Sequence, residues 1–379
     1  MSKRPQAIRS AFAGEGRVHA ARAAVKAAWW GATGAAIRAL SGSAKSPARP
    51  GPPVGAAPPP RGYVRRAWLA AFEKDAADIA QGLYPPTERI DDPLRALGRA
   101  ADLIADARVV ERRRGNGEAR QASEEEPAGG AYPAYYRQNF HFQSGGWFTA
   151  ESARRYEAQV ETLFSGAAGA MRRRALSLLA RAWRDRDHRG LVIVDLACGS
   201  GAFLRDLALA FPRARLIGAD LSAAYLEEAS RRCEAATLVQ ANVERLPFAD
   251  GSVDAVTCVY LFHELPPKVR GAVAAEIARV LKPGGLLAFA DALQGADEPR
   301  LARLLEVFPA YFHEPYFASY EKTDLPDLFA AAGLTSRETD HAFLTKALLL
   351  EKVELRAERA SLGAAPFPGF ASTSPSGGR

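Results

Sequence analysis

The sequence predicts an α/β fold: a doubly wound parallel sheet with helices on both faces, preceded by a helical N-terminal region. Three observations carry this. From residue 190 onward, short apolar runs of buried-strand type alternate with helical stretches, the pattern that builds a parallel sheet. Between residues 61 and 189, apolar residues recur at helical spacing instead. And the chain, 379 residues long with 48% hydrophobic and 25% charged, is large enough to bury a sizeable core.

The first sixty residues stand apart in composition. They hold nine Lys and Arg against one acid, Glu15, whereas the rest of the chain carries 41 bases and 42 acids. The net charge of +7 is therefore a property of this arm, and the body is close to neutral. A neutral body argues against a nucleic-acid partner, which would need basic residues on the folded surface. Residues 18–40 are Ala-rich with Trp29 and Trp30 together, a weak amphipathic helix, and residues 47–60 hold seven prolines, an extended linker. The arm reads as a poorly ordered extension, as a basic helix lying on a membrane surface, or as an organelle transit peptide.

Trp68, Phe72, Ala76, Ile79 and Leu83 mark one face of a helix that Gly82 and Pro85-Pro86 end. Asp92-Pro93 is an N-cap followed by proline at the first helical position, and Leu94, Leu97, Ala101 and Ile104 continue a stripe. Residues 112–130, charged and Gly-rich, read as a loop. An aromatic and amide-rich segment, YPAYYRQNFHFQSGGW (132–147), precedes helices near 150–165 and 168–184. The strands are LVIVDL (191–196), RLIGAD (215–220), TLVQA (237–241), DAVTCVY (254–260) and LLAFADA (286–292), with helices near 201–210, 222–233, 268–281 and 298–308. HAFLTKALLLEK (341–352) reads as a late strand and GAAPFPGFASTSPSGGR as a disordered tail. The expected divisions are an arm and linker (1–60), a helical region with an aromatic lid (61–189), an α/β domain (190–352) and a tail (353–379).

No run of 18 apolar residues occurs, so no membrane-spanning helix is expected. Cys198, Cys233 and Cys258 are too few for a disulfide scaffold and lack zinc-type spacing, which points to a reduced, cytoplasmic protein. His141, His263, His313 and Glu314 offer no ligand pair at helical metal spacing, so no metal is expected.

The strongest signal is VIVDLACGSGAF, Val192 to Phe203: an apolar strand ends at Asp195 and a Gly199-Ser200-Gly201 loop opens the next helix. Ligands of open α/β sheets bind at the carboxyl ends of strands, and glycine lets a ligand approach the backbone. A dinucleotide fingerprint would want a third glycine at 204, where Leu204 stands. Asp220 ends the second strand, 21 residues after Gly199, where an acid can accept from ribose hydroxyls. Asn242 follows the third strand, and LKPGG (281–285) is a helix stop feeding the fifth.

Together, Asp195-x-x-x-Gly199-x-Gly201, Asp220, Asn242-Val243, LPFADGSVDAV (246–256) and LKPGG resemble the class I S-adenosylmethionine-dependent methyltransferases. The branch resembled contains the ubiquinone and menaquinone biosynthesis enzymes. The resemblance is strong over 190–292 and looser from 132 to 352. It implies a Rossmann-like, seven-stranded, mostly parallel sheet and S-adenosylmethionine as cofactor. It places Asp195, Ala197 and the Gly199–Ser200–Gly201 backbone at the cofactor's methionine end, Asp220 at its ribose, and Leu221, Asn242 and Val243 at its adenine. Cys258 and Tyr260 would face the sulfonium and the acceptor.

His263, after the fourth strand, is the candidate general base, with Glu264 orienting it. Two aromatic segments flank the core. Tyr135, Tyr136, Arg137 and His141 in the first, with His313 and Tyr316 in FHEPYFASY (312–320), are the candidate acceptor-binding residues, because aromatic walls with few polar groups suit a small apolar ligand. The expected function is O- or C-methylation of a small aromatic, quinone-like or lipid acceptor. The alternatives are a cofactor-binding regulatory or assembly protein without turnover, and a nucleic-acid methyltransferase. Against the latter, CVYLFHEL lacks the Asn/Asp-Pro-Pro-aromatic site of base-amine methyltransferases.

Overall fold

A computed structural model describes residues 4–40, 55–88, 92–118, 120–127 and 132–353. Seven strands form one sheet in the order β3-β2-β1-β4-β5-β7-β6. They are β1 Val192–Leu196, β2 Arg215–Asp220, β3 Thr237–Gln240, β4 Val253–Val259, β5 Leu281–Ala292, β6 Leu334–Ala342 and β7 Thr345–Lys352. β1 to β5 are parallel, and β7 runs antiparallel between β5 and β6. The run 341–352 straddles a hairpin: His341 and Ala342 end β6, and Phe343 (φ 53°) turns the chain into β7. β6, LTSRETDHA, is polar because it is the sheet's edge, so it lacks the apolar pattern that betrays the other strands.

Strand alternation builds a core on each face of the sheet. Val194, Leu196, Leu287 and Phe289 pack with Val273 and Ile277 of α8 (Pro267–Val280) and Phe329 of α11 (Leu325–Ala331). Their neighbours Ile193, Leu286 and Ala288 point the other way. These meet Leu176 and Leu179 of α5 (Ala168–Ala182) and Leu204 and Leu207 of α6 (Ala202–Ala210). α7 (Ala223–Arg232) crosses between β2 and β3. Beyond β5, α9 (Ala302–Phe312) and α10 (Phe317–Tyr320) cover the sheet's carboxyl edge.

The arm does not stand apart. Residues Arg4–Leu40 form a 37-residue helix, α1, whose buried positions Gly16, His19, Ala23, Ala27, Trp30 and Gly34 step by three and four along one face. Mostly small residues let it lie close on α2 (Tyr63–Ala80), where a Cβ at Gly16 would sit 2.8 Å from the Ala76 carbonyl. The proline linker falls largely outside the described residues, but its end docks on α9, where the Ala56 N–H donates to Glu306 at 3.1 Å. No helix among the described residues is long and apolar enough to cross a membrane. The tail beyond residue 353 also lies outside the described residues.

α3 (Pro93–Asn116) begins on Asp92, whose carboxylate accepts from the Leu94 and Arg95 amides. It runs further than expected into the charged segment, and it buries Ala96, Leu103 and Asp106 while Leu94 is 79% exposed. The α2 stripe shifts likewise: its buried residues are Ala71, Asp75, Asp78 and Ile79. The reason lies in α5, where Arg173 and Arg174 are buried and need carboxylates. Arg173 forks onto Asp75 at 2.8 and 2.6 Å and reaches Glu88 at 2.7 Å, while His19 pairs with the same Asp75 at 2.7 Å. Arg174 pairs with Asp78. Burial alone would raise the Asp75 carboxyl, but Arg173 and His19 hold it well below the usual range. His19, Asp75 and Glu88 come within ligand distance of one another, yet the guanidinium of Arg173 occupies the middle of the group.

Candidate functional site

Strand order reverses between β1 and β4, the switch point where open α/β sheets bind ligands. Both strands leave the sheet through a left-handed residue that is not glycine, Ala197 (φ 53°) after β1 and Tyr260 (φ 57°) after β4. Such backbone costs about 1–3 kcal/mol per residue and gathers at binding sites. A pocket opens there, walled by Asp195, Ala197, Cys198, Gly199 and Ser200 from the first turn and Asp220 and Leu221 from the second. Asn242 and Val243 follow β3, and Tyr260 and Glu264 follow β4.

Asp195, paired in register with Thr257 of β4, accepts that hydroxyl at 2.6 Å. Burial pushes its carboxyl up to about 7. Asp220 accepts the Gly199 and Ser222 amides at 2.8 Å each, and its carboxyl is raised, burial outweighing those bonds. Asn242 closes a local turn: its Oδ1 accepts the Glu244 amide at 2.9 Å, leaving Nδ2 toward Glu244 Oε1 at 3.4 Å.

The two glycines of the loop do different work. A Cβ at Gly199 (φ 54°) would meet only Tyr225 at 4.0 Å, so the backbone there faces open space, as a cofactor cradle requires. A Cβ at Gly201 (φ 77°) would lie 2.9 Å from Ala229, and Gly201 does not wall the pocket. Gly201 serves the packing of α6 on α7, not approach of a ligand. Cys258 also departs from expectation. Val259 walls the pocket, and strand alternation turns its neighbour Cys258 into the core beneath α8.

Several walls carry no motif and were not foreseen. Glu157 of α4 (Ala150–Leu163) is gripped by Arg172 at 3.1 and 2.8 Å and accepts Ser200 Oγ at 3.2 Å. This places a buried ion pair beside the glycine loop; burial opposes its charge, but Arg172 and Arg232 hold the Glu157 carboxyl at about 2. Trp147, Tyr156 and Tyr225 form a mutual edge-to-face trio with centroids 5.4 to 5.7 Å apart over the pocket. Only the aromatic density of 132–147 hinted at this cover.

Tyr156, Tyr260 and Glu264 also wall a second, apolar chamber with His141, His263, Leu305, Phe308 and Phe317. Tyr135 and Tyr136 wall the first pocket and His141 the second. Arg137, His313 and Tyr316 wall neither: Arg137 pairs with Glu126 at 3.0 Å, and His313 and Tyr316 both bond Gln138. They brace the lid from outside, where an aromatic segment's polar residues find partners.

His263 Nδ1 lies 2.6 Å from the fully buried Asp291, whose carboxylate also accepts the Phe262 and Ala292 amides. Burial disfavours the imidazolium, but Asp291 overrides it and pushes His263 up to about 10. The ring is therefore charged at neutral pH, which removes it from the base role expected of it. Its neighbour takes the opposite shift: burial, then Glu314, raise Glu264 to about 8 against the pull of His263 and His141. His141 pairs with buried Glu314, and its own value is raised despite burial.

Residues 193–285 match a methyltransferase domain family. An uncharacterized methyltransferase of Synechocystis sp. is 33% identical over 146 residues, 38% of this chain and 68% of the relative. A malonyl-[acyl-carrier protein] O-methyltransferase of Legionella pneumophila is 38% identical over 26% of this chain and 34% of the relative. A demethylmenaquinone methyltransferase of Beutenbergia cavernae is 34% identical over 37% of this chain and 54% of the relative. The chain thus spans from about a third to just over two thirds of the length of these relatives.

Proposed function

The chain belongs to the class I S-adenosylmethionine-dependent methyltransferases, resembling their ubiquinone and menaquinone branch, and from that premise we propose that it methylates a small, largely apolar acceptor bearing an acidic O–H or C–H. The observation that supports this reading is the junction of the two chambers at Tyr156, Tyr260 and Glu264. A cofactor in one and an acceptor in the other would meet there.

S-adenosylmethionine supplies an activated methyl group, so the protein's share is orientation, exclusion of water and handling of one proton. Asp195, the Gly199 and Ser200 backbone and the Arg172–Glu157 pair would hold the methionine end, and Asp220 the ribose. Alignment of the reacting groups supplies roughly 7–11 kcal/mol in favourable cases. Tyr156 and Trp147 exclude water from above. Glu264 is the proton acceptor in this reading: it faces both chambers, and its raised value makes it a stronger base than an ordinary carboxylate. His263, whose imidazolium Asp291 favours, stabilises an acceptor anion, and His141, its value raised by Glu314, lines the same chamber. The relative named as an O-methyltransferase agrees with an acidic O–H acceptor.

The test incubates the full chain with methyl-labelled S-adenosylmethionine and separate pools of phenols and quinols, fatty acids and short nucleic acids. Label should enter the first or second pool. Glu264→Gln should lower kcat with little change in KM, and the acid limb of the wild-type profile, centred at about 8, should vanish. Label in nucleic acid alone, or cofactor binding without turnover on any pool, would refute the assignment.

A further inference from the structure

The apolar stripe of α3 faces away from the body. Leu94, Leu97 and Ala101 step by three and four along one side of the helix, and all three are exposed, Leu94 to 79% and Leu97 to 55%. The buried side carries Ala96, Leu103 and Asp106 instead. Beside it α1 exposes Val18 and Val25, about two turns apart on one face, and Leu40 at its end. Among the described residues nine large apolar side chains are exposed, and these two helices hold five of them. α1 and α3 pack on each other and on α4, and Val25 and Pro93 line one cleft, so the two stripes belong to one surface. Scattered singly, such residues need no explanation; gathered on one face, they mark a docking site.

The same surface is cationic. Arg17, Arg22 and Arg38 of α1 and Arg95, Arg108 and Arg112 of α3 are exposed, against the exposed acids Glu15 and Asp102. Arg17, Arg22 and Arg112 pair with no carboxylate among the described residues. Along the chain no acid occurs between Glu15 and Glu73. A second copy of this chain would bring like charge onto like charge, and a nucleic acid would set phosphates against the leucines. An anionic bilayer suits both halves at once. Its headgroups take the guanidinium groups, and the acyl boundary just below takes the leucines and the arginine stems.

We propose that the outer face of α1 and α3 docks on the surface of an anionic lipid bilayer. Neither helix is long and apolar enough to cross it, so the contact is peripheral. A groove between α1 and α3, walled by Ile37, Leu103 and Val110, shares His141, Val160 and Leu163 with the acceptor chamber. Docking would turn that side of the chamber toward the bilayer, a consequence that rests on the methyltransferase reading. The docking itself needs neither cofactor nor turnover.

Sedimentation of the full chain with vesicles tests it, using phosphatidylcholine alone and phosphatidylcholine mixed with phosphatidylglycerol. The chain should pellet with the anionic vesicles and stay in solution with the neutral ones, and about 0.5 M salt should release most of it. Leu94→Gln with Leu97→Gln should weaken binding by about tenfold. Arg22→Gln with Arg112→Gln should weaken it by about twenty-five-fold, or roughly fivefold per charge. These side chains are exposed, so the variants should melt with the wild type; if the leucine pair does not, Leu97→Gln alone should still weaken binding by about threefold. Leu209→Gln, at an exposed leucine of α6 outside this face, should change nothing. The proposal is overturned by absence of pelleting with anionic vesicles, by equal pelleting with neutral ones, by unchanged binding in the leucine or the arginine variants, or by a dimer in ultracentrifugation that the leucine changes dissociate. Binding of a short duplex DNA at least as tight as that of the anionic vesicles would also overturn it. A chain that binds these vesicles but transfers no methyl group would sink the functional reading and leave the docking standing.

Discussion

Asp195→Asn separates what the site costs from what it does. In the folded protein the Asp195 carboxyl stands at about 7 against an ordinary 3.8, because burial outweighs the Thr257 hydroxyl bond. A group raised on folding holds its proton longer in the native state, so stability falls as pH rises between the two values. Above about pH 7 the whole shift is expressed, on the order of 4 kcal/mol of destabilisation relative to a neutral side chain. At about pH 5.5 only about half of it remains, near 2 kcal/mol, and at about pH 3.5 almost none. Asparagine keeps the shape and can still accept from Thr257. Asp195→Asn should therefore stabilise the protein, and the gain should be about 2 kcal/mol larger at about pH 8 than at about pH 5.5. Urea denaturation of both proteins at the two pH values measures this. The same variant should bind S-adenosylmethionine poorly, since a neutral amide offers no charge to the cofactor's ammonium group. A gain equal at both pH values, or a loss of stability at about pH 8, would refute the account of a buried, strained carboxylate.

Two further outcomes follow from the glycine loop and the arm. Gly201→Ala should lower stability by about 1–3 kcal/mol, through a Cβ pressed on Ala229 and a left-handed backbone, whereas Gly199→Ala should cost about 1 kcal/mol and act mainly on cofactor affinity. Thermal unfolding and calorimetry on the pair distinguish them, and equal effects on both readouts would contradict the division of labour. Deletion of residues 1–60 should lower Tm and broaden the unfolding transition. It uncovers the α2 face at Phe72 and Ala76, and it strips His19 from Asp75 and Lys26 from Glu88 and Glu161. An unchanged Tm would show the arm to be an appendage.

How much of this was readable beforehand differs by element. The strand-loop-helix around Asp195 and Gly199 was legible because its information is local: an apolar run, an acid at its end, a glycine turn. The acids Asp195 and Asp220 fall at strand ends for the same reason. β6 was not legible, since an edge strand needs no apolar alternation and HAFLTKALLLEK hid the hairpin within one apolar run. The stripes of α2 and α3 were read as apolar, but α2 buries Asp75 and Asp78 instead. Nothing near those residues announces Arg173 and Arg174, nearly a hundred positions away, as their partners.

Sequence alone thus determined the fold class and where the parallel strands lie along the chain, because both depend on neighbours along the chain, and the family resemblance pointed to the cofactor. Tertiary structure decided which groups are charged and what walls the site. His263 looked like a base of ordinary strength until Asp291, 28 residues on, was seen beneath it. Glu264 looked like its helper until burial beside Glu314 raised it. Cys258 faced the site until strand alternation turned it into the core. Protonation depends on solvent exclusion and on partner distance, and both are set only when segments far apart in the chain close on one another.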